Sequence, residues 1–197
     1  MTRIRDCEIT VVQGDITVQS TEAIVNAANP TLLGGGGVDG AIHARAGPEL
    51  LEECRELRRT TWPSGLPTGE AVLTRGGRLP ARFVIHTVGP VWRGGGEGEG
   101  ALLRHAYINS LTLAERRGLG SISFPSISTG AYGYPMRDAS RVAIRAVADY
   151  LGTRDPGASD RPPRSLREVR FVLFSPSDRR EFETVLHELR PSLPADE

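Results

Sequence analysis

The chain of 197 residues contains no lysine; its 24 basic residues are all arginine. That absence removes a Walker lysine, a Schiff-base lysine and a lysine general base from the chemistry available. An excess of charge of one sign is missing as well, since 24 Asp and Glu balance the arginines to a formal net charge of zero. A protein that tracks a phosphate backbone carries a basic stripe, so long nucleic acid is not an expected partner; a small anion held by backbone N–H groups stays open. Cysteine is scarce: Cys7 and Cys54 lie far apart without ligand spacing, which suggests neither a zinc site nor a disulfide framework. No apolar run approaches the ~20 residues needed to span a bilayer. The opening residues, MTRIRDCEIT, lack the apolar core of a signal peptide. A cytoplasmic location and no membrane partner are therefore expected. A hydrophobic fraction of 39% over this length suits one domain, expected over 1–190 with a flexible tail at 191–197.

What the chain does have is concentrated between Asn26 and Gly47, written NAANPTLLGGGGVDGAIHARAG. Two asparagines (Asn26, Asn29), four consecutive glycines (Gly34 to Gly37) and one carboxylate (Asp39) stand immediately before an alanine-rich helical pattern. Glycine serves where a backbone needs positive φ or must come within contact distance of a ligand. A helix starting right after such a loop turns its unpaired first-turn N–H groups and its positive dipole end into the loop, which suits a phosphate. Strand-like residues before the glycines and a helix after them favour a binding loop over a linker.

Along the chain, β-type runs at Cys7–Gln13, Glu22–Asn26, Ala71–Thr74, Phe83–Val88, Ser121–Phe124 and Val169–Phe174 alternate with helical patterns. Helices are predicted over Val38–Ala46, Pro48 to about Thr60, Ala101–Arg117 and Pro135 to about Leu151, with a last one capped by Ser177. Alternation of this kind predicts an α/β fold whose mixed, mostly parallel sheet is covered on both sides. Residues 93–100 read as a solvated loop and 152–167 as a mobile linker. A second unusual loop, PSISTGAYGY from Pro125 to Tyr134, repeats the logic of the first: small hydroxyls (Ser126, Ser128, Thr129), two glycines (Gly130, Gly133) and a following helix. Tyr132, set between those glycines, is placed to lie against a sugar or base. His86, amid apolar strand residues, reads as a hydrogen-bonded sheet-face histidine. Taken alone, Asp15 reads as a turn former and Phe174 as a core residue.

These residues together match a known pattern. GDIT at Gly14–Thr17, NAAN at Asn26–Asn29, GGGGVDGAIH at Gly34–His43, PTGEA at Pro67–Ala71, IHTVGP at Ile85–Pro90 and SISTGAYGYP at Ser126–Pro135 resemble the macrodomain family, more narrowly its MacroD-type branch of ADP-ribose ester hydrolases. The resemblance runs in order from about residue 8 to the last helix. It implies a three-layer α-β-α macrodomain with a central mixed, mostly parallel sheet flanked by helices, and it reverses the isolated readings of two residues. Asp15 would accept from the adenine amino group and Phe174 would stack on the ring, with the N–H of Ile16 donating to it. Ser128, Thr129, Gly130, Ala131, Tyr132 and Gly133 would wrap the diphosphate, with Gly36, Gly37 and Val38 opposite. Tyr132 would pack on the distal ribose, and Asn26, Asn29 and Asp39 would complete the site. The family often has valine where this chain has Ala131.

The reaction so implied is hydrolysis of an ester on the distal ribose, of O-acetyl-ADP-ribose or of an ADP-ribosylated acidic side chain. Asp39 would be the base or the water-orienting group and Asn29 would hold the ribose hydroxyl and the water, while a substrate diphosphate oxygen is the other candidate acceptor of the proton. Neither a cofactor nor a metal is implied, and His43 reads as a helix-packing residue behind Asp39. ADP-ribose, its O-acyl esters and mono-ADP-ribosylated proteins are the expected partners. The competing class is a reader that binds ADP-ribose without cleaving it, disfavoured because a carboxylate near the ester would only repel an anionic ligand. A phosphatase acting on ADP-ribose phosphate is a third reading.

Overall fold

A computed structural model describes residues 2–153 and 164–194. Seven strands are present: β1 (Thr2–Ile4), β2 (Cys7–Gln13), β3 (Ala23–Ala28), β4 (Ala71–Arg75), β5 (Phe83–Val88), β6 (Ser121–Phe124) and β7 (Glu168–Leu173). They form one sheet in the order β1-β2-β7-β6-β3-β5-β4. Its five central strands are mutually parallel; β1 and β4 run antiparallel at the two edges. Parallel neighbours need crossovers, and helices supply them: α1 (Gly37–Ala46), α2 (Pro48–Thr60), α3 (Glu99–Arg116), α4 (Met136–Gly152) and α5 (Pro176–Leu189).

Strand alternation divides the core in two. In β3, Ala23 and Val25 face a large cluster with Leu103, Tyr107, Ile144 and Phe182 from α3, α4 and α5. Ile24 and Ala28 face a smaller one with Ile42, Leu50 and Cys54 from α1 and α2. The three layers of the expected macrodomain architecture are therefore present, with the sheet in the middle.

Several boundaries moved. The edge strand β1 has only three residues, with the exposed Arg3 between buried Thr2 and Ile4, too short to carry a periodic signal. The last helix is capped by Ser175, whose hydroxyl accepts from the N–H of Asp178, and Pro176 holds its first position. Ser177, the expected cap, lies inside the helix and touches Ser175 through its hydroxyl at 2.8 Å. Residues 93–98 are the exposed loop that was expected, but 99 and 100 belong to α3. Glu99 is 2% exposed and opens α3, and its carboxylate accepts from the N–H groups of Arg93 (3.0 Å), Gly95 (3.0 Å) and Glu97 (2.7 Å). The loop is thus folded around a carboxylate. Of the expected mobile linker, residues 154–163 lie outside the described residues; at its end Leu166 is buried and Arg167 donates to Gly120 O at 2.8 Å. Where the tail was expected to begin, Arg190–Ser192 make one 3-10 turn and Leu193 packs on the larger cluster; residues 195–197 lie outside the described residues.

Candidate functional site

Parallel strands deliver the loops that follow them to one edge of a sheet. Asp15 follows β2, Asn29 follows β3, the 126–133 loop follows β6 and Phe174 follows β7, so the residues singled out in the sequence are gathered at the carboxyl edge. Asp15 is exposed, and one of its oxygens accepts from the N–H (2.8 Å) and hydroxyl (2.7 Å) of Thr17, capping the 3-10 turn Ile16–Val18. Turn formation therefore occupies one carboxylate oxygen, Oδ1. Phe174, just past its strand, is 85% exposed, a large cost for an aromatic ring in the absence of a ligand and no core role at all.

Asn29 shapes the glycine loop. Its Oδ1 accepts from Thr31 N (2.9 Å) and Oγ1 (2.5 Å), while Nδ2 donates to Gly34 O (3.0 Å) and lies 3.5 Å from Asp39 Oδ2. The loop then folds back over the first turn of α1 so closely that a Cβ on Gly40 would run into the carbonyl oxygen of Gly35. Gly37 sits at φ +59°, a conformation glycine adopts without strain. Gly36 caps α1 with no side-chain bond, leaving the first-turn N–H groups of Gly37 and Val38 toward the open edge.

Asp39 is 3% exposed. Its Oδ1 accepts from Asn26 Nδ2 at 2.7 Å and lies 3.5 Å from His43 Nε2, one helical turn on. Burial pushes the His43 pKa below its usual value, with the Asp39 charge pulling the other way. Asn26 was expected beside Asn29 at the loop, but it is fully buried. β3 continues to Ala28, two residues beyond the expected end, so Asn26 is an interior strand residue lying behind Asp39.

In the second loop Ser128 takes φ +69°, a strained conformation for a residue with a side chain, and is almost wholly buried. The loop closes on itself through Gly133 N to Gly130 O (2.9 Å) and Tyr134 N to Ser128 O (3.0 Å). Among the described residues, the N–H groups of Thr129, Gly130, Ala131 and Tyr132 have no protein acceptor, which leaves a row of donors on an exposed turn. Tyr132 is half-buried, and burial, then the charge of Asp39, pushes the pKa of its hydroxyl up. Tyr134 is instead a buried anchor, 4.4 Å from the Trp92 ring, and Trp92 N donates to Tyr132 O at 2.8 Å.

Three groups able to bind a metal converge behind the site, those of His43, Cys54 and His86, with ligand atoms within 4.8 Å of one another. Both His86 nitrogens already have partners, Asn26 Nδ2 (3.1 Å) and Thr74 Oγ1 (2.9 Å), and burial pushes the Cys54 thiol up to about 12. His86 and Cys54 are hydrogen-bonded and the thiol stays protonated, while among the described residues His43 Nε2 has no hydrogen-bond partner. As the sequence suggested, His86 is a hydrogen-bonded sheet residue; its link to Asn26 could not be read without knowing that β3 and β5 are neighbours. A surface hollow of about 710 Å³ bordered by Glu49, Arg75, Gly77 and Phe83 lies at the opposite end of the sheet and shares no residue with these loops.

Known proteins resemble this chain over most of its length. A family model described as Macro domain matches residues 25–143. A Citrobacter rodentium protein named O-acetyl-ADP-ribose deacetylase is 49% identical over 178 residues, covering 90% of this chain and 94% of that protein. An Oceanobacillus iheyensis macrodomain with ADP superposes with a TM-score of 0.88 at 45% identity, covering 98% of this chain and 96% of that one. A Trypanosoma brucei macrodomain in complex with ADP-ribose gives 0.77 at 41% identity, covering 90% of this chain and 68% of that one.

Proposed function

The chain belongs to the macrodomain family, and from that premise we propose that it binds ADP-ribose and hydrolyses esters on its distal ribose. On this reading residues 1–190 are one macrodomain with 191–197 as its tail. The adenine lies between Asp15, the N–H of Ile16 and the ring of Phe174. The diphosphate lies between the free N–H groups of 128–133 and those at Gly36, Gly37 and Val38. Backbone donors and a helix N-terminus neutralise it, so the absence of lysine costs nothing.

The observation that carries the enzymatic reading is the position of Asp39. A carboxylate 3% exposed, facing the glycine loop and 3.5 Å from Asn29 Nδ2, is a liability in an anion-binding cleft unless it does chemistry. Water held by Asp39 and Asn29 adds to the acyl carbonyl. The bond from the acyl carbon to the ribose oxygen then breaks, and that oxygen leaves as a hydroxyl. Products are ADP-ribose and a carboxylic acid, either acetate or a protein side chain. The proton of the water passes to Asp39 Oδ2 or to a diphosphate oxygen of the substrate. Asn26 supports Asp39 from behind.

The test is release of ADP-ribose from O-acetyl-ADP-ribose and from a glutamate-ADP-ribosylated protein, followed by chromatography, with wild type, Asp39→Asn and Asp39→Ala. Wild-type turnover, with both variants strongly impaired yet still binding ADP-ribose, supports Asp39 as base. Near-normal turnover by Asp39→Asn assigns it water orientation alone, with the substrate phosphate as acceptor. Wild type that binds ADP-ribose and cleaves neither substrate is a reader.

A further inference from the structure

Behind Asp39 the sheet carries buried polar side chains that the reaction proposed above does not use. Alternation puts Asn26 of β3, His86 of β5 and Thr74 of β4 on the face that meets α1 and α2, in line with Ile24, Val84 and Val72. Asn26 stands directly opposite His86 in the parallel β3–β5 pair. Asn26 and His86 are 0% exposed and Thr74 1%. Polar side chains so deep are as a rule hydrogen-bonded, and each of these three has a partner, although among the described residues Asn26 Oδ1 has none. The bonds run in one line: Thr74 Oγ1 to His86 Nε2 at 2.9 Å, His86 Nδ1 to Asn26 Nδ2 at 3.1 Å, and Asn26 Nδ2 to Asp39 Oδ1 at 2.7 Å.

Donor counting gives the line its direction. An amide nitrogen donates and never accepts, and it has two hydrogens. One goes to the Asp39 carboxylate, and the other to His86 Nδ1, which must therefore carry a lone pair. The imidazole proton is then on Nε2, where it is donated to Thr74 Oγ1. Only a neutral ring can do this, and burial, with a smaller push from the neighbouring His43, brings the His86 pKa down to about 3. A doubly protonated ring would set N–H against N–H; the amide would turn and place its oxygen against Asp39 Oδ1. The other carboxylate oxygen, Oδ2, faces the glycine loop: a Cβ built on Gly35 would lie 3.1 Å from it.

We propose that His86 is a positioning residue for Asp39, acting through Asn26: seated on Thr74, it fixes the Asn26 amide so that Asp39 Oδ1 is held and Oδ2 is presented to substrate and water. The inference rests on the hydrolase reading of Asp39. Substrate never touches His86, so its removal acts on turnover and leaves binding alone.

The test uses three substitutions and one spectrum. Asparagine places an acceptor oxygen near the position of Nδ1; glutamine places its amide near Nε2 and leaves the Nδ1 position empty; leucine supplies neither. His86→Leu and His86→Gln lower kcat for O-acetyl-ADP-ribose roughly 10- to 100-fold, with KM and the ADP-ribose Kd nearly unchanged, and His86→Asn restores most of the rate. Thermal unfolding of each variant is recorded alongside. Imidazole 15N spectra of wild type show Nε2 protonated and Nδ1 bare between about pH 5 and pH 8. A folded His86→Leu at full rate, equal rates for the Asn and Gln variants, or the opposite tautomer overturns the positioning role by itself. Wild type that hydrolyses no ester overturns the hydrolase reading and the role together, so the two failures are distinguishable.

Discussion

The side-chain amide of Asn26 donates to Asp39 Oδ1 across 2.7 Å, tying an interior residue of β3 to the first turn of α1. Neither residue has appreciable exposure, so no water replaces the donor if it is lost. Asn26→Leu leaves a buried carboxylate oxygen without this N–H, and a loss of about 1–3 kcal/mol of stability is expected in urea unfolding, with ester hydrolysis reduced further than folding. Unchanged stability would mean that Asp39 finds another donor.

Two glycines separate loop packing from ligand approach. A Cβ on Gly89 would run into Ser128 Oγ and Ile127 Cγ2, whereas one on Gly130 would meet nothing. Gly89→Ala is expected to cost about 1–3 kcal/mol by overpacking and to weaken ADP-ribose binding by displacing the loop. Gly130→Ala leaves the melting temperature alone and lowers affinity at least about tenfold, because its methyl group would occupy the space proposed above for the diphosphate. Calorimetry of both variants, with titration of ADP-ribose, checks the contrast.

Acid should loosen the loop around Glu99. Its own backbone N–H and those of Gly95, Arg93 and Glu97 hold the carboxyl below the usual glutamate range, against burial that pushes it up. With the folded-state pKa depressed, the unfolded chain takes the proton first as pH falls. The contribution is complete above the ordinary glutamate pKa and is lost as pH falls through the depressed folded value. Trp92 reports it, since its ring lies 4.4 Å from Tyr134. In a Trp62→Phe background, Trp92 emission shifts in acid, and Glu99→Gln shows the shifted emission already at neutral pH. An acid response identical in Glu99→Gln would rule out this carboxylate as its source.

His86 contributes a second pH dependence over a different window. Its folded pKa is depressed from 6.5 to about 3 by burial, so the stability of the neutral ring is fully present above 6.5 and is lost as pH falls toward 3. His43 and Cys54 lie beside it, and Asp39 is linked to it through Asn26. Denaturant unfolding of wild type and His86→Asn at several pH values should show a shallower decline for the variant across that window. Parallel declines would assign the loss to other groups.

Phe174 gives the plainest separation of binding from folding. At 85% exposure it contributes little to the core, so Phe174→Ala should change stability by no more than about 0.5 kcal/mol. Loss of a stacking platform should weaken ADP-ribose binding by about 1–3 kcal/mol, roughly 5- to 150-fold. Titration calorimetry gives both enthalpy and affinity; an unchanged Kd would place the adenine elsewhere.

Much of the fold was legible because local rules and burial agree along these segments. The strand-like runs of β2, β5 and β6, each stopped by glycine or proline, and the helix from Pro48 to Thr60 occur with the expected ends. Where two local solutions are nearly equal, the sequence misled. Ser175 and Ser177 are both competent caps, and the hydroxyl that caps is decided by where β7 releases the chain. Glu99 reads as one acidic residue in a glycine-rich loop, because nothing local shows that three N–H groups will curl around it.

The sequence by itself determined the α/β class, the two glycine loops, and the residue types that supply the N–H donors and the carboxylate of the proposed site. These follow from steric and hydrogen-bonding properties that each residue carries anywhere. Which strands become neighbours was decided only in the tertiary structure. Placing β3 between β6 and β5 is a global outcome of core packing, and that order alone sets Asn26 against His86 and turns Asn26 inward to hold Asp39.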